Sequence, residues 1–247
     1  DFSIDLEPQM KTITVPEGKL YQAIKTTQFA MAQNNPRYYL NGMLWSLQDS
    51  QLQVVATDAH RLAQRSMTID STETASLIVP RKTIIELGRL LVEGSEKSVT
   101  VGFTENQLFL KGGVYQLTSR LIAGHFPDYQ KLLPKEASRI AIVDRNLFKE
   151  ALSKLTPLVK QEVHRGVRLE FSRDALKLKV SNSKQETGEE SVSIQYQRDQ
   201  DEAFSIAFNI EYLDKILDVL PQGEIRLTLP LEEGVTLLEQ HHSPKDH

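Results

Sequence analysis

Two stretches of this sequence, "NGMLWSLQDSQLQVVATD" at residues 41–58 and "RGVRLEFSRDALKLKVSN" at residues 165–182, align with each other without a gap. In each stretch, apolar and polar residues alternate, pass through a short polar turn and alternate again. This pattern predicts a hairpin of two strands with one buried face. The matched pairs are Gly42 with Gly166, Met43 with Val167, Trp45 with Leu169, Leu47 with Phe171, Leu52 with Leu176 and Val54 with Leu178. The sequence therefore predicts the same hairpin twice.

Amphipathic helices are predicted on both sides of each hairpin. The preceding helices are "PEGKLYQAIKTTQFAMA", with Pro16 and Glu17 near its start, and "DRNLFKEALSKL", with Asp144 as the N-cap. In the second of these, the predicted buried face consists of Leu147, Ala151, Leu152 and Leu155. The following helices are "VPRKTIIELGRLL" and "FNIEYLDKILDVL", and each leads into an alternating strand, "SVTVGF" or "EIRLTL".

This order of elements indicates an α+β fold with two similar domains, each with two helices packed on antiparallel sheets. We place the domains at residues 9–136 and 137–247, because "LLPKEAS" interrupts the pattern between them. Residues 1–8 are interpreted as the remnant of an interdomain connector. The opening "DFSIDLEPQ" and the ending "LLEQHHSPKDH" lead us to expect a fragment of a longer protein.

The composition excludes several classes of function. The chain has no cysteine, so it has no disulfide, no thiolate metal site and no cysteine nucleophile. It has no run of about 18 uncharged apolar residues and no basic segment leading into an apolar one near the start, so we expect no membrane span, no signal peptide and a cytoplasmic location. A formal net charge of −4 argues against a surface uniformly adapted to nucleic acid, but it allows one basic face.

One such basic face is predicted on the helix after Pro80. Helical geometry places Arg81, Lys82 and Arg89 within a sector of about 100°, and the apolar residues Ile84, Leu87, Leu90 and Leu91 lie on the opposite side. Both an ordinary solvated face and a surface that contacts phosphates without reading base sequence fit this pattern. The segment "RYYLNG" adds a cation, Arg37, beside two rings able to stack on bases, Tyr38 and Tyr39. Paired tyrosines that enter a strand also commonly pack on a sheet.

The segment "TDAHRL" at residues 57–62 admits three interpretations. A metal site would combine Asp58 and His60 with His125 and Asp128, but metal-binding motifs such as HExxH are absent. Nucleophilic catalysis is not supported, because the sequence contains no motif of the GxSxG kind, which would form a strained turn around the nucleophile. A turn shaped by the aspartate, or a surface that binds a peptide, remains.

Five segments together resemble the bacterial DNA polymerase III beta subunit, the family of replicative sliding clamps. They are "RYYLNGM", "VVATDAHRLA", "VPRK", "FPDYQKLLP" and "RGVRL", in this order and at these distances. The resemblance extends from about Val15 to Leu238 and covers the second domain and most of the third domain of a three-domain protein. The internal duplication is itself typical of the DNA-clamp fold.

The resemblance implies a ring of two subunits with helices lining a hole around double-stranded DNA, which the ring encircles without sequence specificity. It implies a homodimer when the protein is full length, a role without enzymatic activity, and no cofactor or membrane partner. The residues that it assigns to DNA contact are Asn34, Arg37, Tyr38, Tyr39, Arg81, Lys82 and Arg89. Asn34 stands where the family commonly has glutamine. An acidic exterior with a basic lumen suits a protein that slides.

The resemblance also implies a peptide groove between the last two domains. Its partners would be the DNA polymerase III alpha subunit, the clamp-loader delta subunit, repair polymerases and mismatch-repair proteins, which bind through motifs of the QLxLF kind. The residues assigned to the groove are Leu40, Thr57, Ala59, His60, Arg61, Leu62, Pro127, Lys131 and Leu132. Ala59 replaces a glycine common in the family, Lys131 replaces a frequent arginine, and we expect the final strand of the third domain to be missing.

By the same resemblance Leu158 and Val159 belong to the dimer interface, so we expect both to be exposed in this chain. Two alternatives from other classes stay open at this point. One is a metal-dependent hydrolase that uses Asp58, His60, His125 and Asp128. The other is a peptide-binding adaptor without a DNA role.

Overall fold

The computed structural model describes residues 10–134, 139–198, 204–231 and 234–242. The chain divides into two compact units, unit 1 at Asp1–Pro127 and unit 2 at Asp128–His247. The predicted connector at residues 1–8 and the predicted boundary between residues 136 and 137 lie outside the described residues.

The described residues of unit 1 form two helices and two four-stranded antiparallel sheets, in the strand orders β1-β6-β7-β8 and β4-β3-β2-β5. Short 3-10 turns at Gln28–Ala30 and Tyr38–Leu40 follow the first helix. The elements are β1 (Lys11–Pro16), α1 (Glu17–Thr27), β2 (Gly42–Gln48), β3 (Gln51–Thr57), β4 (Leu62–Thr68), β5 (Ala75–Pro80), α2 (Arg81–Leu90), β6 (Ser98–Phe103), β7 (Gln107–Lys111) and β8 (Gln116–Arg120).

Unit 2 repeats this order, with one seven-stranded antiparallel sheet in the order β13-β10-β11-β12-β9-β14-β15. It begins with a 3-10 turn at Tyr129–Leu132. The elements are β9 (Arg139–Asp144), α3 (Arg145–Val159), β10 (Gly166–Phe171), β11 (Ala175–Ser181), β12 (Thr187–Arg198), β13 (Phe204–Asn209), α4 (Ile210–Val219), β14 (Glu224–Leu229) and β15 (Leu237–Gln240). The predicted α+β class with two helices per domain is confirmed.

The strand register confirms the duplication that the sequence predicts. Trp45 lies opposite Val54 in the hairpin β2–β3, and their matched residues, Leu169 and Leu178, lie opposite each other in β10–β11. Leu47 and Leu52 form the next core-facing pair of the first hairpin, as Phe171 and Leu176 do in the second. All eight side chains are buried in the cores of their units. The alternating pattern therefore fixes both pairing and buried face.

The helices close each core from one side of the sheets. In α1 and α2 the residues Leu20, Ile24, Ile84 and Leu87 have no exposed surface and pack in the same cluster as Trp45. Apolar residues three and four apart form this stripe, as an amphipathic helix requires. Each domain core thus forms from one helix pair and the inner sheet faces.

The start of α3 confirms one prediction and corrects another. The Oδ1 of Asp144 accepts hydrogen bonds from the backbone N–H groups of Asn146 and Leu147, both at 2.9 Å, so Asp144 is the N-cap. The predicted burial of Leu147 is wrong, because its side chain is 52% exposed. The buried stripe begins one residue later, at Phe148, and continues through Ala151, Leu152, Leu155 and Val159.

The expected exposure of Val159 is also wrong. Val159 lies eleven residues after Phe148, which is close to three helical turns, so it falls on the same stripe and is fully buried in unit 2. Leu158 lies beside it and is partly buried against the same core. Of the two residues assigned to a dimer interface, only Leu158 therefore has accessible surface.

No helix in the described parts of the chain has the length and apolar character needed to cross a membrane.

Candidate functional site

The loop at residues 57–62 joins β3 to β4 and is organised by Asp58. The Oδ1 of Asp58 accepts hydrogen bonds from the N–H groups of His60, at 2.9 Å, and Arg61, at 3.0 Å. These two bonds close an Asx-type turn, so the predicted turn shaped by the aspartate is present. The Oγ1 of Thr57 donates to the carbonyl oxygen of Arg61 at 2.7 Å and accepts from the N–H of Ala59 at 3.1 Å.

Ala59 has a left-handed backbone conformation, with φ of +77°. This region favours glycine, because the Cβ of any other residue approaches the following carbonyl oxygen. The loop holds an exposed alanine there against this preference. The replacement of the family's common glycine by Ala59 therefore also affects the backbone of the loop.

The guanidinium group of Arg61 interacts with Asp58 of the same loop and with the nearby Phe29 ring. Its Nε lies 3.1 Å from Oδ2 of Asp58, and the two side chains are only 18% and 17% exposed. Its guanidinium carbon lies 5.3 Å from the centre of the Phe29 ring, within the range of a cation–π contact. Arg61 thus stabilises the loop, whereas His60 at the tip is exposed.

The sheet face that carries Thr57 is apolar near this loop. Leu44, Val55 and Ile78 are buried, are neighbours by register and alternate with the residues that face the helices. Thr57 lies opposite Leu62 at the end of the same sheet, and Leu62 is half-buried. Leu40 is only 1% exposed, so its side chain offers almost no surface to a peptide.

The remaining groove residues lie near the junction of the two units in sequence. Pro127 is the last residue of unit 1 and is exposed. In unit 2, Lys131 and Leu132 lie on the 3-10 turn at its start, and Leu132 is 60% exposed. The Nζ of Lys131 lies 2.8 Å from Oδ2 of Asp128, and this hydrogen bond lowers the pKa of the Asp128 carboxyl.

The two aspartates of the possible metal site already interact with other protein groups. Both carboxylate oxygens of Asp58 already accept hydrogen bonds from the loop, and Asp128 is paired with Lys131. Throughout residues 10–134, 139–198, 204–231 and 234–242, no three His, Asp or Glu side chains lie close enough to hold a metal ion. No observation in this structure therefore favours the metal-dependent hydrolase.

The structure brings several of the predicted DNA-contacting residues together on one surface of unit 1. An open groove of about 450 Å³ is lined by Gln33, Asn34, Asn41, Arg81, Lys82, Ile85, Glu86 and Arg89. Asn34 reaches it from the loop after α1, where its φ of +55° is tolerated by asparagine. We call this surface the basic groove.

Hydrogen bonds at its base hold the loop that contains Arg37, Tyr38 and Tyr39. The N–H of Ala32 donates to the carbonyl oxygen of Leu40 at 3.1 Å. Asn35 and Asn41 form two reciprocal bonds of 2.9 Å, each between one backbone and one side chain. The two tyrosine rings meet edge to face with centres 5.8 Å apart, and Tyr38 is 57% exposed. Tyr38 is therefore presented at the surface, while Tyr39 is half-buried.

Four residues of the basic groove were not identified from the sequence: Gln33, Asn41, Ile85 and Glu86. Glu86 pairs with Arg89 at 3.1 Å, and the spacing of three residues on a helix is a sequence signal for that pair. Asn41 and Gln33 enter the groove through the loop geometry, which no local pattern predicts. Glu86 leaves the groove less basic than the spacing of Arg81, Lys82 and Arg89 indicates.

A buried carboxylate fixes the start of α1. Glu17 is 4% exposed, and its two oxygens accept hydrogen bonds from the hydroxyls of Ser95, at 2.5 Å, and Tyr115, at 2.8 Å. The bond from Ser95, helped by that from Tyr115, lowers the pKa of Glu17, although burial acts in the opposite direction. Burial and the neighbouring Glu17 raise the pKa of the Tyr115 phenol well above its usual range. Glu17 thus ties α1 to the loop after α2 and to the turn before β8.

Comparisons with known proteins give one consistent result. The family model of the DNA polymerase III beta subunit, central domain, matches residues 14–128, and that of the C-terminal domain matches residues 130–245. A beta sliding clamp of Pseudomonas putida is 36% identical over 240 residues, which are 96% of this chain and 64% of the relative. One of Proteus mirabilis is 40% identical over 217 residues, 87% of this chain and 58% of the relative. This chain thus spans less than two thirds of either relative.

Among solved structures, a sliding clamp of Pseudomonas aeruginosa bound to griselimycin superposes with a TM-score of 0.89. It is 34% identical, and the match covers 98% of this chain and 65% of that one. The similarity therefore extends over both units.

Proposed function

The chain belongs to the DNA polymerase III beta subunit family, and from this premise we propose that it forms the second and third domains of a DNA sliding clamp. The domains would be those at residues 9–136 and 137–247. In the complete protein, a ring of two subunits encircles double-stranded DNA without sequence specificity and keeps a polymerase attached to its template. This role is mechanical, needs no catalytic group or cofactor, and belongs in the cytoplasm.

The observation that carries the DNA role is the basic groove. It combines Asn34 from one loop with Arg81, Lys82 and Arg89 from α2. Long cationic side chains on an open helix face suit phosphate contacts that carry no sequence information. Such contacts exchange readily with bound cations, which permits sliding.

Retention on DNA tests encirclement. The protein is extended with the first domain and the C-terminal residues of a relative, loaded on nicked circular DNA or on the same DNA made linear, and passed over a sizing column. Retention on the circle with loss from the linear form is the expected result. Equal retention on both would show binding without topology and would favour the adaptor without a DNA role.

We further propose that the loop at residues 57–62, with Pro127, Lys131 and Leu132, binds short peptides of the QLxLF kind. Polymerase III alpha, the clamp-loader delta subunit, repair polymerases and mismatch-repair proteins would carry such motifs. Half-buried Leu62 and exposed Pro127 offer apolar surface, and Asp58 holds the loop in place before a ligand arrives. A preformed loop lowers the ordering cost of binding.

Titration calorimetry with one such peptide tests this proposal. Leu62→Ala and Pro127→Ala should each weaken binding by about 1–3 kcal/mol, through loss of apolar anchoring. Val114→Ala is the matched control, because Val114 lies at the exposed tip of the β7–β8 hairpin and should leave the affinity unchanged. Unchanged affinity in both test variants would contradict the groove. Griselimycin, bound by the related Pseudomonas aeruginosa clamp, is a second probe.

A further inference from the structure

Helices α2 and α4 occupy equivalent places in the two units. The N–H of Arg81 donates to the carbonyl oxygen of Asn41 at 3.0 Å, and the N–H of Ile210 donates to that of Arg165 at 2.8 Å. Asn41 and Arg165 are themselves matched in the hairpin repeat. Both helices have ten residues, and Ile84 in α2 corresponds to the buried Leu213 in α4. Every residue of α2 therefore has an equivalent position in α4.

The charges on these two helices are reversed. The equivalent charged pairs are Lys82 with Glu211, Glu86 with Lys215, and Arg89 with Asp218. In addition, Arg81 corresponds to the apolar Ile210, and the apolar Ile85 corresponds to Asp214. α2 thus carries three basic residues and one acidic residue, whereas α4 carries three acidic residues and one basic residue.

In unit 2, two of the three acidic residues of α4 pair with nearby cations. Asp218 forms an ion pair with Lys149 of α3, and Glu211 forms one with Arg165. Arg145 donates from Nε to the carbonyl oxygen of Leu217 at 2.6 Å and from Nη2 to that of Asp218 at 3.3 Å. Cations at a helix C-terminus satisfy its last carbonyl groups and complement its dipole. These three cations are thus held by their own unit.

In unit 1, two lysines of the helix side remain available, whereas Arg81 donates from Nη1 to the carbonyl oxygen of Met31 at 3.2 Å. Within the described residues, the exposed Lys19 and Lys82 form no ion pair. The pair of Arg89 with Glu86 is 70% and 48% exposed, so solvent and salt weaken it. Cations without a strong internal partner exchange to phosphate at little cost.

The loop between the first helix and the hairpin also differs between the two units, and the loop of unit 1 adds residues to the basic groove. The segment from Glu17 to Asn41 is four residues longer than the equivalent segment from Arg145 to Arg165. The longer loop contributes Asn34 to the basic groove and exposes Arg37 and Tyr38. The two copies of the duplication therefore differ both in the charges on their second helices and in the loop before the hairpin.

We propose that phosphate contacts by the helix side of this chain reside in unit 1, and that α3 and α4 of unit 2 form a self-neutralised face that does not bind phosphate. The inference rests on the proposed DNA role and assigns that role to one copy of the duplication. Lys149 and Arg165 of unit 2 must each lose an ion pair before they can contact DNA, which offsets part of the gain from releasing counterions. Confining contacts to one unit keeps the affinity low, as sliding requires.

Salt-dependent DNA binding by matched variants tests the inference. Fluorescence anisotropy of a labelled duplex of about 30 base pairs is measured with the full 247-residue chain at several salt concentrations. Lys82→Gln should weaken binding several-fold and reduce the slope of log K against log salt by about 0.9, the value for one phosphate contact. Lys149→Gln should leave both quantities unchanged. Far-ultraviolet circular dichroism verifies that each variant is folded.

A second variant tests the neutralised face without removing a cation. Glu211→Gln combined with Asp218→Asn frees Arg165 and Lys149, and it should raise the affinity and steepen the slope. Equal weakening by Lys149→Gln and Lys82→Gln, or unchanged binding by the double variant, would overturn the inference but leave the DNA role standing. Wild-type binding that does not depend on salt would overturn the DNA role and the inference with it.

Discussion

The carboxylate of Asp58 and the side chain of Arg61 form a partly buried ion pair, with Oδ2 and Nε 3.1 Å apart. The other oxygen of the same carboxylate caps the turn between them by accepting from two backbone N–H groups. One aspartate therefore fixes both the backbone of the loop and the direction of its arginine. The turn shaped by the aspartate, one of the interpretations that the sequence left open for residues 57–62, is therefore held by its own side chains.

Removing this carboxylate should destabilise unit 1. We expect Asp58→Ala to lower the free energy of unfolding by about 1–3 kcal/mol, because the turn loses two hydrogen bonds and Arg61 loses its ion pair with Asp58. Asp58→Asn keeps the acceptor that caps the turn and should cost less. The measurement is urea unfolding followed by the fluorescence of Trp45, the single tryptophan, which lies in the core of unit 1. Equal losses in the two variants would show that the cap contributes nothing.

Relaxing the backbone at Ala59 should have the opposite effect. Ala59→Gly removes the Cβ from a left-handed conformation and should raise the stability of unit 1 by about 1 kcal/mol. Ala63→Gly is the control, because Ala63 lies in β4 and a glycine within a strand should destabilise by about 0.5–1 kcal/mol. The same Trp45 fluorescence measures both, and a loss of stability in Ala59→Gly would contradict a strained Ala59.

The buried Glu17 should make unit 1 sensitive to acid. Its pKa is lower in the folded protein than the ordinary value of 4.5, so its ionised form stabilises the fold. This contribution is complete above pH 4.5 and is lost as the pH falls through the folded pKa. At pH 7 we expect Glu17→Gln to cost about 2 kcal/mol, through loss of charge-assisted hydrogen bonds.

Urea unfolding at a series of pH values checks this sign. The difference between wild type and Glu17→Gln should shrink on acidification below pH 4.5. Tyr115→Phe removes one of the two hydroxyl donors and should reduce the acid sensitivity without abolishing it. A difference that widens in acid would mean that the carboxyl is protonated in the folded state.

Val159 and Leu158 should respond differently to truncation. Val159→Ala removes fully buried methyl groups and should destabilise unit 2 by about 2 kcal/mol, whereas Leu158→Ala should cost less because Leu158 is only partly buried. Far-ultraviolet circular dichroism during thermal unfolding follows both units, while Trp45 fluorescence follows unit 1 alone. A shift in the Trp45 transition with no change in the remaining transition would argue against this placement.

The sequence by itself determined the duplication, the hairpin register and the cap of α3, because these follow from alternation, helical periodicity and a side chain that bonds within three residues. It identified Asp144 as a cap, and it placed Trp45 and Leu169 at equivalent positions. Those patterns depend only on residues that are close together in the sequence, and the corresponding local structures are present in both units. The basic side of α2 is of the same kind, since helical spacing alone brings Arg81, Lys82 and Arg89 together.

Only the tertiary structure decided which groups are buried or paired across distance. Glu17 and Tyr115 meet although they are 98 residues apart, and Arg145 reaches the end of α4 72 residues away. Burial of Leu40 and Val159, likewise, depends on neighbouring elements as well as on their own segments. The charge of a side chain is visible in the sequence, but whether it is free for a ligand depends on partners that only folding brings within reach.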